Sequence, residues 1–458
     1  MNLPRFITVP LLVFHLLLLA HPSNAQSEDP LEQYIKIGLE NNEKLIQERL
    51  EVELQEARLQ EAKGNYLPDV SFDASYIRAD GGRIIQVPAG DLVNPAYEGL
   101  NQLFGAEVYP TNIQNTEEQF LPDNFHETKI RIIQPILNAK THFNRKIQQS
   151  LVEAKRARKN AYQNELVKQI KTAYYNHASA VQQLEILNST TTVLQELLRF
   201  NQSLFENQKV TREVVLQSEA DISNLESRIA SAEKQLAVSL IYFNYLIGRN
   251  LNDSIRLNNS ESPENKLLST SELTAKALNN RFELRELDAS LESLKQNTRL
   301  SKSYLIPEIN VIGDVGYQGF GYEFNDTQDF WFLRFGLSWP IFQGNKNRSK
   351  VQQATLQQRQ LQSRQKETED LISLEVTEAK LSLDEAYKIA RAKQMERQQA
   401  EESFKIIRKQ YEQNQTTQLN LIEARNKMTV TQIQEVIARN NVKIAHAHLE
   451  AAISNFNP

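Results

Sequence analysis

From Lys140 to Asn207 the chain contains no proline or glycine, and its apolar residues recur every seven positions. Leu166, Ala173, Ala180, Leu187 and Leu194 form one row. Ile170, His177, Leu184, Thr191, Leu198 and Phe205 form a companion row offset by four, which is the a/d seam of one helix packed on another. At 1.5 Å per residue such a helix measures about 100 Å. A rod of that length cannot bury itself in a small globule, so the chain has to build an elongated bundle. A soluble coiled coil satisfies the heptads equally well at this point.

A second uninterrupted run, from Asn345 to Gln413, repeats the pattern. Shorter segments are duplicated in the same order. "YLPDVSFDASY" (Tyr66 to Tyr76) is echoed by "LIPEINVIGDVGY" (Leu305 to Tyr317), "IRIIQPILNAK" (Ile130 to Lys140) by "FGLSWPIFQGNK" (Phe335 to Lys346), and "FENQKVTREVVLQS" (Phe205 to Ser218) by "YEQNQTTQLNLIEA" (Tyr411 to Ala424). Three ordered echoes indicate an internal duplication. Each half reads helix, strand, loop, strand, long helix, tight turn, helix. The expected boundaries are a first repeat over 26–248, with strands near 69–77 and 128–137, a long helix over 140–207 and a helix over 213–248. A polar linker follows over 249–272. The second repeat occupies 273–458, with strands near 308–317 and 329–342, a long helix over 345–413 and a helix over 417–455.

The first 25 residues differ from the rest: Arg5, an apolar run from Phe6 to Ala20, and the small-x-small ending Ser23-Asn24-Ala25. This reads as a secretory signal cleaved before Gln26. The alternative, a membrane anchor, has against it a short apolar run broken by Pro10. The chain has no cysteine, which excludes disulfides, thiolate metal sites, cysteine nucleophiles and a lipobox tether. A net charge of −5, with 24% charged residues, gives no bulk signal for nucleic-acid binding. No apolar run after residue 25 reaches the length of a transmembrane helix, so an exported chain of this kind is periplasmic, extracellular or an outer-membrane barrel.

The strands decide how much weight the barrel carries. Val70, Phe72, Ala74 and Tyr76 alternate with Ser71, Asp73 and Ser75, and Ile130 and Ile132 alternate with Lys129 and Arg131. In the second repeat Ile309, Val311, Val315 and Tyr317 share a face opposite Asn310 and Asp314. The last strand places Trp331, Leu333, Phe335, Leu337 and Trp339 on one side, with Arg334, Gly336 and Ser338 on the other; Phe332 interrupts the pattern. Trp331 to Trp339 spans roughly 26 Å along the strand, about 20 Å in height once tilted by about 40°, which approximates the apolar band of a barrel with an aromatic at each rim. A sandwich strand buried on one face has the same pattern. Four strands cannot stand open in lipid, because every backbone polar group there needs a partner, so a membrane reading requires several chains to close the sheet. The loop over 77–127, with Pro88, Pro95, Pro110 and Pro122, is long, and the loop over 318–328 is short.

Nothing in the sequence assembles catalytic chemistry, a cofactor site or a metal site. His446 and His448, two apart on a helix, point to different faces. Gly313, Gly316, Gly319 and Gly321 lack the helix N-terminus that a phosphate loop requires. The turns between paired helices are more informative. The helix breaks at 414–417 and restarts with Thr416 or Thr417 as its cap. Glu423, one turn further on, would form a ring of like carboxylates if repeated by symmetry, and such rings select ions. An exposed helical glutamate is the plainer reading.

With these features together, the chain resembles the outer membrane efflux protein family, the TolC-like exit ducts. The matching features are the signal, the duplication, "YLPDV" and "LIPEI", "QPILNAK" and "WPIFQGNK", and the two tips "FENQKVTREVVLQSEA" and "YEQNQTTQLNLIEARN". The resemblance implies a mainly α fold with a membrane β-barrel. Three copies, each giving four strands and long coiled-coil helices, would form a twelve-stranded barrel continuing into a periplasmic α-helical tunnel. It further implies an outer-membrane location in contact with lipid, a periplasmic adaptor (membrane fusion protein) docking at the helical tips, and an RND, ABC or MFS-type inner-membrane pump. Such a duct is passive and performs no chemistry. A periplasmic adaptor or a coiled-coil scaffold is the alternative. The family's tip glycine is Gln208 in the first repeat and Asn414 in the second. Where a well-known branch lines its entrance with two aspartates, this chain has Asn420 and Glu423. That branch's basic latch is replaced by Thr416 and its facing aspartate by Val214, so its polar lock does not transfer; Arg212 and Glu213 lie nearby as substitutes. Gln208, Arg212, Glu213, Tyr411, Asn414, Thr416 and Thr417 are the candidate tip and docking residues, Asn420 and Glu423 the candidate constriction, and Trp331 and Trp339 the candidate girdle.

Overall fold

Helix starts follow from local chemistry. Pro30, with its fixed φ and missing N–H, opens α1 (Pro30–Asn41), and the Asp29 carboxylate accepts from Leu31 N at 3.2 Å. In the second repeat Ser269 and Glu272 form a reciprocal capping box at the start of α6 (Thr270–Asn280). The structure is a computed structural model that describes residues 29–258, 269–413 and 415–454. The expected signal over 1–25 and part of the linker, 259–268, lie outside the described residues.

The remaining elements are α2 (Glu43–Gly64), β1 (Asp69–Ile77), β2 (Ile84–Val87), α3 (Ala89–Phe104), β3 (Thr116–Gln119), β4 (Phe125–Leu137), α4 (Ala139–Glu206), α5 (Arg212–Leu246), α7 (Phe282–Ser301), β5 (Glu308–Phe320), β6 (Asp329–Ser338), α8 (Lys346–Glu412) and α9 (Gln418–Ala452). The long helices α4 and α8 have 68 and 67 residues. Strand β6 ends at Ser338, short of the expected 342, because Pro340 has no N–H to continue the ladder. Trp339 therefore lies just past the strand. Strands β4 and β5 are longer than their sequence patterns indicated.

The chain divides into two compact units. One comprises the described residues of Met1–Asn42, Leu166–Asn265 and Asp384–Ala447. Its interior is helix on helix: Leu187, Leu194 and Leu225 pack with Ile222, Ile229 and Ile433, while Phe404, Tyr411 and Leu421 pack with Val193, Leu197 and Met428. Tyr34, Tyr174 and Phe243 form a second aromatic contact, with Tyr34 edge-on to Phe243 at 5.3 Å. The other unit comprises Glu43–Glu165, the described part of Lys266–Leu383, and the described residues from His448 onward. It holds both sheets and a core of Leu273, Ala277, Leu284, Ile372, Val376, Ala452 and Ile453.

The duplication is visible in small structural details. Helices α1 and α2 are separated by one extended residue, Asn42, and α6 and α7 by one extended residue, Arg281. Each of these residues reaches the last carbonyl of its own repeat's final helix: Asn42 Nδ2 donates to Leu246 O at 2.9 Å, and an Arg281 guanidinium nitrogen to Ala452 O at 3.2 Å. A helix end left with orphan carbonyls is thereby satisfied in the same way twice.

The main sheet has four strands in the order β1-β4-β5-β6, all antiparallel. The repeats meet where β4 pairs with β5, and β1 and β6 form the two edges. The expected loop over 77–127 has structure of its own: β2 pairs with β3 in a separate two-stranded sheet, and α3 follows β2. Asn94 and Asn101 hold this segment together. Asn94 exchanges two hydrogen bonds with Ile113, at 2.8 and 2.9 Å, and the Asn101 side chain bonds Val108 and Tyr109.

Candidate functional site

Two regions carry the functional argument, the four-stranded sheet in one unit and the helix turns in the other. In the sheet the register sorts side chains by chemistry. Phe72, Ile130, Val315 and Trp331 stand directly across from one another, as do Val70, Ile132, Gly313 and Leu333. Phe335 pairs with Val311 and Leu337 with Ile309 on the same face. Most of these residues are exposed, Trp331 by 79% and Phe335 by 74%, while Ile309, Val311 and Gly313 are half-buried. A continuous apolar face of this size, uncovered on an isolated chain, is abnormal for a water-soluble protein.

The opposite face is polar. Ser71, Arg131, Asp314 and Phe332 lie in one cross-strand row, so the residue that broke the sequence alternation sits among charges. Arg131 grips Asp314 with two parallel bonds of 2.9 Å, and Lys129 bonds Glu127 at 2.6 Å. Gly316 lies where a Cβ would collide with the backbone of Thr128 and Lys129, so this crowded row admits only glycine. Near the loop end, His126 is buried beneath Tyr322 and Phe324, with its Nε2 2.8 Å from Gln328 Oε1. Tyr76 meets Tyr322 edge-on at 5.5 Å there. At the helix end, Trp339, Phe342 and Tyr66 are exposed. Trp331 lies two residues into β6 from its loop end, and Trp339 just past its helix end.

The two helix turns close in the same way. Gln208 adopts a left-handed φ of 61°, and Lys209 N donates back to Leu204 O at 2.9 Å. In the second turn Gln415 N donates to Gln410 O at 2.8 Å, the equivalent bond. This is the Schellman closure, which usually places glycine at the left-handed position. Asn414, the corresponding residue, lies outside the described residues. Thr417 Oγ1 accepts from Asn420 N at 3.4 Å, and the Asn420 side chain donates to Thr416 Oγ1 at 3.0 Å. Arg212, Glu213, Asn420 and Glu423 are exposed, and among the described residues none of them makes an ion pair. The structure therefore brings Thr416, Thr417 and Asn420 together, and leaves Glu423 on the exposed side of α9.

Tyr411 is part of a network that the sequence pattern did not reveal. Its hydroxyl donates to Asn201 Oδ1 at 2.7 Å; Asn201 Nδ2 donates to Ser218 Oγ at 2.8 Å; Ser218 donates to Val214 O at 3.0 Å. Gln418 Nε2 reaches both Ser218 Oγ, at 2.9 Å, and Val214 O, at 3.1 Å. Asn201 has no exposed surface and Ser218 almost none. Four helices are thereby tied by one buried polar chain, and burial raises the Tyr411 pKa so that its hydroxyl stays a donor. The signal was present: Asn201 is the next member of the row Leu166, Ala173, Ala180, Leu187, Leu194, a single polar residue in an apolar seam. Such residues fix the register of paired helices.

Among the described residues no group of His, Cys, Asp or Glu is placed to hold a metal, and no helix is long and apolar enough to cross a membrane. The latter says nothing of β-strands.

Known proteins share this geometry. Residues 273–455 match the family described as outer membrane efflux protein. No curated protein matches in sequence. Solved structures extend the likeness to nearly the whole chain. The outer-membrane channel OprN matches with a TM-score of 0.75 at 14% identity, covering 93% of this chain and 90% of the other. The Campylobacter jejuni CmeC outer membrane channel matches with a TM-score of 0.76 at 15% identity, covering 93% and 85%. The Vibrio cholerae outer membrane protein VceC matches with a TM-score of 0.73 at 15% identity, covering 92% and 95%. The fold is the one these solved channels share: mainly α and duplicated, with a four-stranded sheet and long paired helices.

Proposed function

We propose that the protein is a passive exit duct of the outer membrane, in which three copies close a twelve-stranded barrel that continues into a periplasmic helical tunnel. The observation that carries this reading is the sheet with one apolar, exposed face and two unpaired edges, β1 and β6. In water that face is a liability; in lipid it is the expected exterior. The unpaired edges then require neighbouring copies, because unpaired backbone groups are not tolerated in hydrocarbon. The polar face, with Arg131, Asp314 and Lys129, lines the conduit.

In this assembly Glu423 forms a ring at the entrance with Asn420 beside it, and the turns around Gln208, Arg212, Glu213, Tyr411, Asn414, Thr416 and Thr417 receive a periplasmic adaptor. An inner-membrane pump of the RND, ABC or MFS type supplies energy and chooses cargo. The linker over 249–272 contributes to a belt around the tunnel. The leader over 1–25 directs export and is removed. Fractionation of cells expressing the full chain tests the reading: recovery with outer-membrane vesicles supports it, and recovery in the soluble periplasm, as for an adaptor or scaffold, contradicts it.

A further inference from the structure

Helices α4, α8 and α9 line a half-open cavity of about 140 Å³ near the second turn. Its apolar walls include Leu194, Leu197, Phe200, Phe404 and Leu421, and four charged side chains, Arg425, Arg408, Glu196 and Glu412, also line it. A cavity of about this volume is large enough for a benzene ring. Arg425 is only 5% exposed. Its Nε is fully buried without an acceptor, and the guanidinium makes no hydrogen bond among the described residues. The carboxylates at the cavity rim are engaged elsewhere: Arg408 lies 3.0 Å from Glu412 and 4.0 Å from Glu196.

On α5, Asp221 is the carboxylate whose charge favours the Arg425 cation, and Arg228 opposes it. Asp221 does not pair with Arg425, and its Oδ2 is itself buried without a partner. Burial presses the Arg425 pKa down, yet a guanidinium does not give up its proton in a protein. A permanently charged fork is thus held beside the apolar side chains of the cavity with its donors unused, while the other charged lining residues pair among themselves. The group that satisfies such a fork is a carboxylate, whose two oxygens match it geometrically.

We infer that this cavity is a binding site for a small amphiphilic carboxylate, with an apolar body of about one ring among Leu194, Leu197, Phe200, Phe404 and Leu421 and its carboxylate accepting hydrogen bonds from Arg425. The site stands on the hairpin geometry alone and does not depend on the duct reading. Because its walls come from α4, α8 and α9, the bound molecule bridges all three helices at the turn.

The test uses the full chain held in amphipol, free of anionic detergent, with 4-fluorobenzoate as probe and 4-fluorobenzyl alcohol as its neutral counterpart, both followed by fluorine NMR titration. Saturable binding of the benzoate is expected, weakened at least tenfold by Arg425→Met, with the alcohol indifferent to that change. Arg425→Met removes an unpaired buried charge and keeps the bulk, so the variant should fold; its melting curve checks this. Asp221→Asn, outside the cavity wall, removes a competing carboxylate and should tighten benzoate binding several-fold. Absence of saturable binding, binding unchanged in Arg425→Met, or weaker binding in Asp221→Asn overturns the inference.

Discussion

The Tyr411 hydroxyl and the Asn201 amide are worth more to the hairpin ends than their size suggests, because both are buried and each is the other's partner. Tyr411→Phe leaves Asn201 Oδ1 unsatisfied, so thermal unfolding should show a loss of about 1–3 kcal/mol, with hydrogen exchange rising at Asn201 and Ser218. Gln208 presents the opposite case. Its left-handed φ of 61° is costly for a residue with a Cβ, and Gln208→Gly should stabilise the first turn by about 1 kcal/mol in the same assay. His177 gives a pH signature. Ser239 donates its only hydroxyl proton to Leu236 O at 2.8 Å, so its oxygen accepts from His177 Nδ1–H at 2.9 Å. Burial lowers the His177 pKa below its ordinary value. The unfolded chain then binds the extra proton more readily, and stability falls as pH drops from about 6.5 through the lower folded value. Melting curves between neutral and mildly acidic pH should show this slope in the wild type and a flatter one in His177→Gln.

Among the elements, the sheet was the most legible from sequence and the long loop the least. Alternation in β1, β4, β5 and β6 placed Val70, Phe72, Ile130, Val315, Trp331 and Phe335 on one face before any coordinates, because a period of two survives wherever one face is apolar throughout. The same logic gives a prediction. Phe335→Lys, at mid-strand on the apolar face, should cost about 2–4 kcal/mol and reduce recovery of folded protein from membranes, while Ser71→Lys on the polar face should be nearly neutral. The segment over 77–127 gave no such pattern. Helix α3 and the β2–β3 pair are held by side-chain bonds such as Asn94 to Ile113, which connect residues distant in sequence and leave no periodic trace. The buried network at the turns was half legible. Tyr411 stood out as an aromatic at a duplicated position, whereas Asn201 was visible only by following the heptad row one step past its last apolar member. Arg425 left no signal, since a helical arginine is ordinarily exposed and its burial depends on how α9 meets α4 and α8.

For the whole molecule, the sheet's two open edges and its apolar face are individually costly and jointly resolved by the same assembly. In the proposed assembly three protomers in lipid would pair the edges and cover the face at once, leaving the Gln-rich, charged helices in water. At the entrance of that assembly, Glu423→Ala should reduce cation preference in single-channel recordings; unchanged selectivity would remove Glu423 from the constriction. The most direct test of the account is the native mass of the full chain extracted in neutral detergent, combined with its conductance in planar bilayers. The account predicts a three-copy particle that inserts and conducts. A single-copy protein that stays in solution without detergent and forms no channel would contradict it.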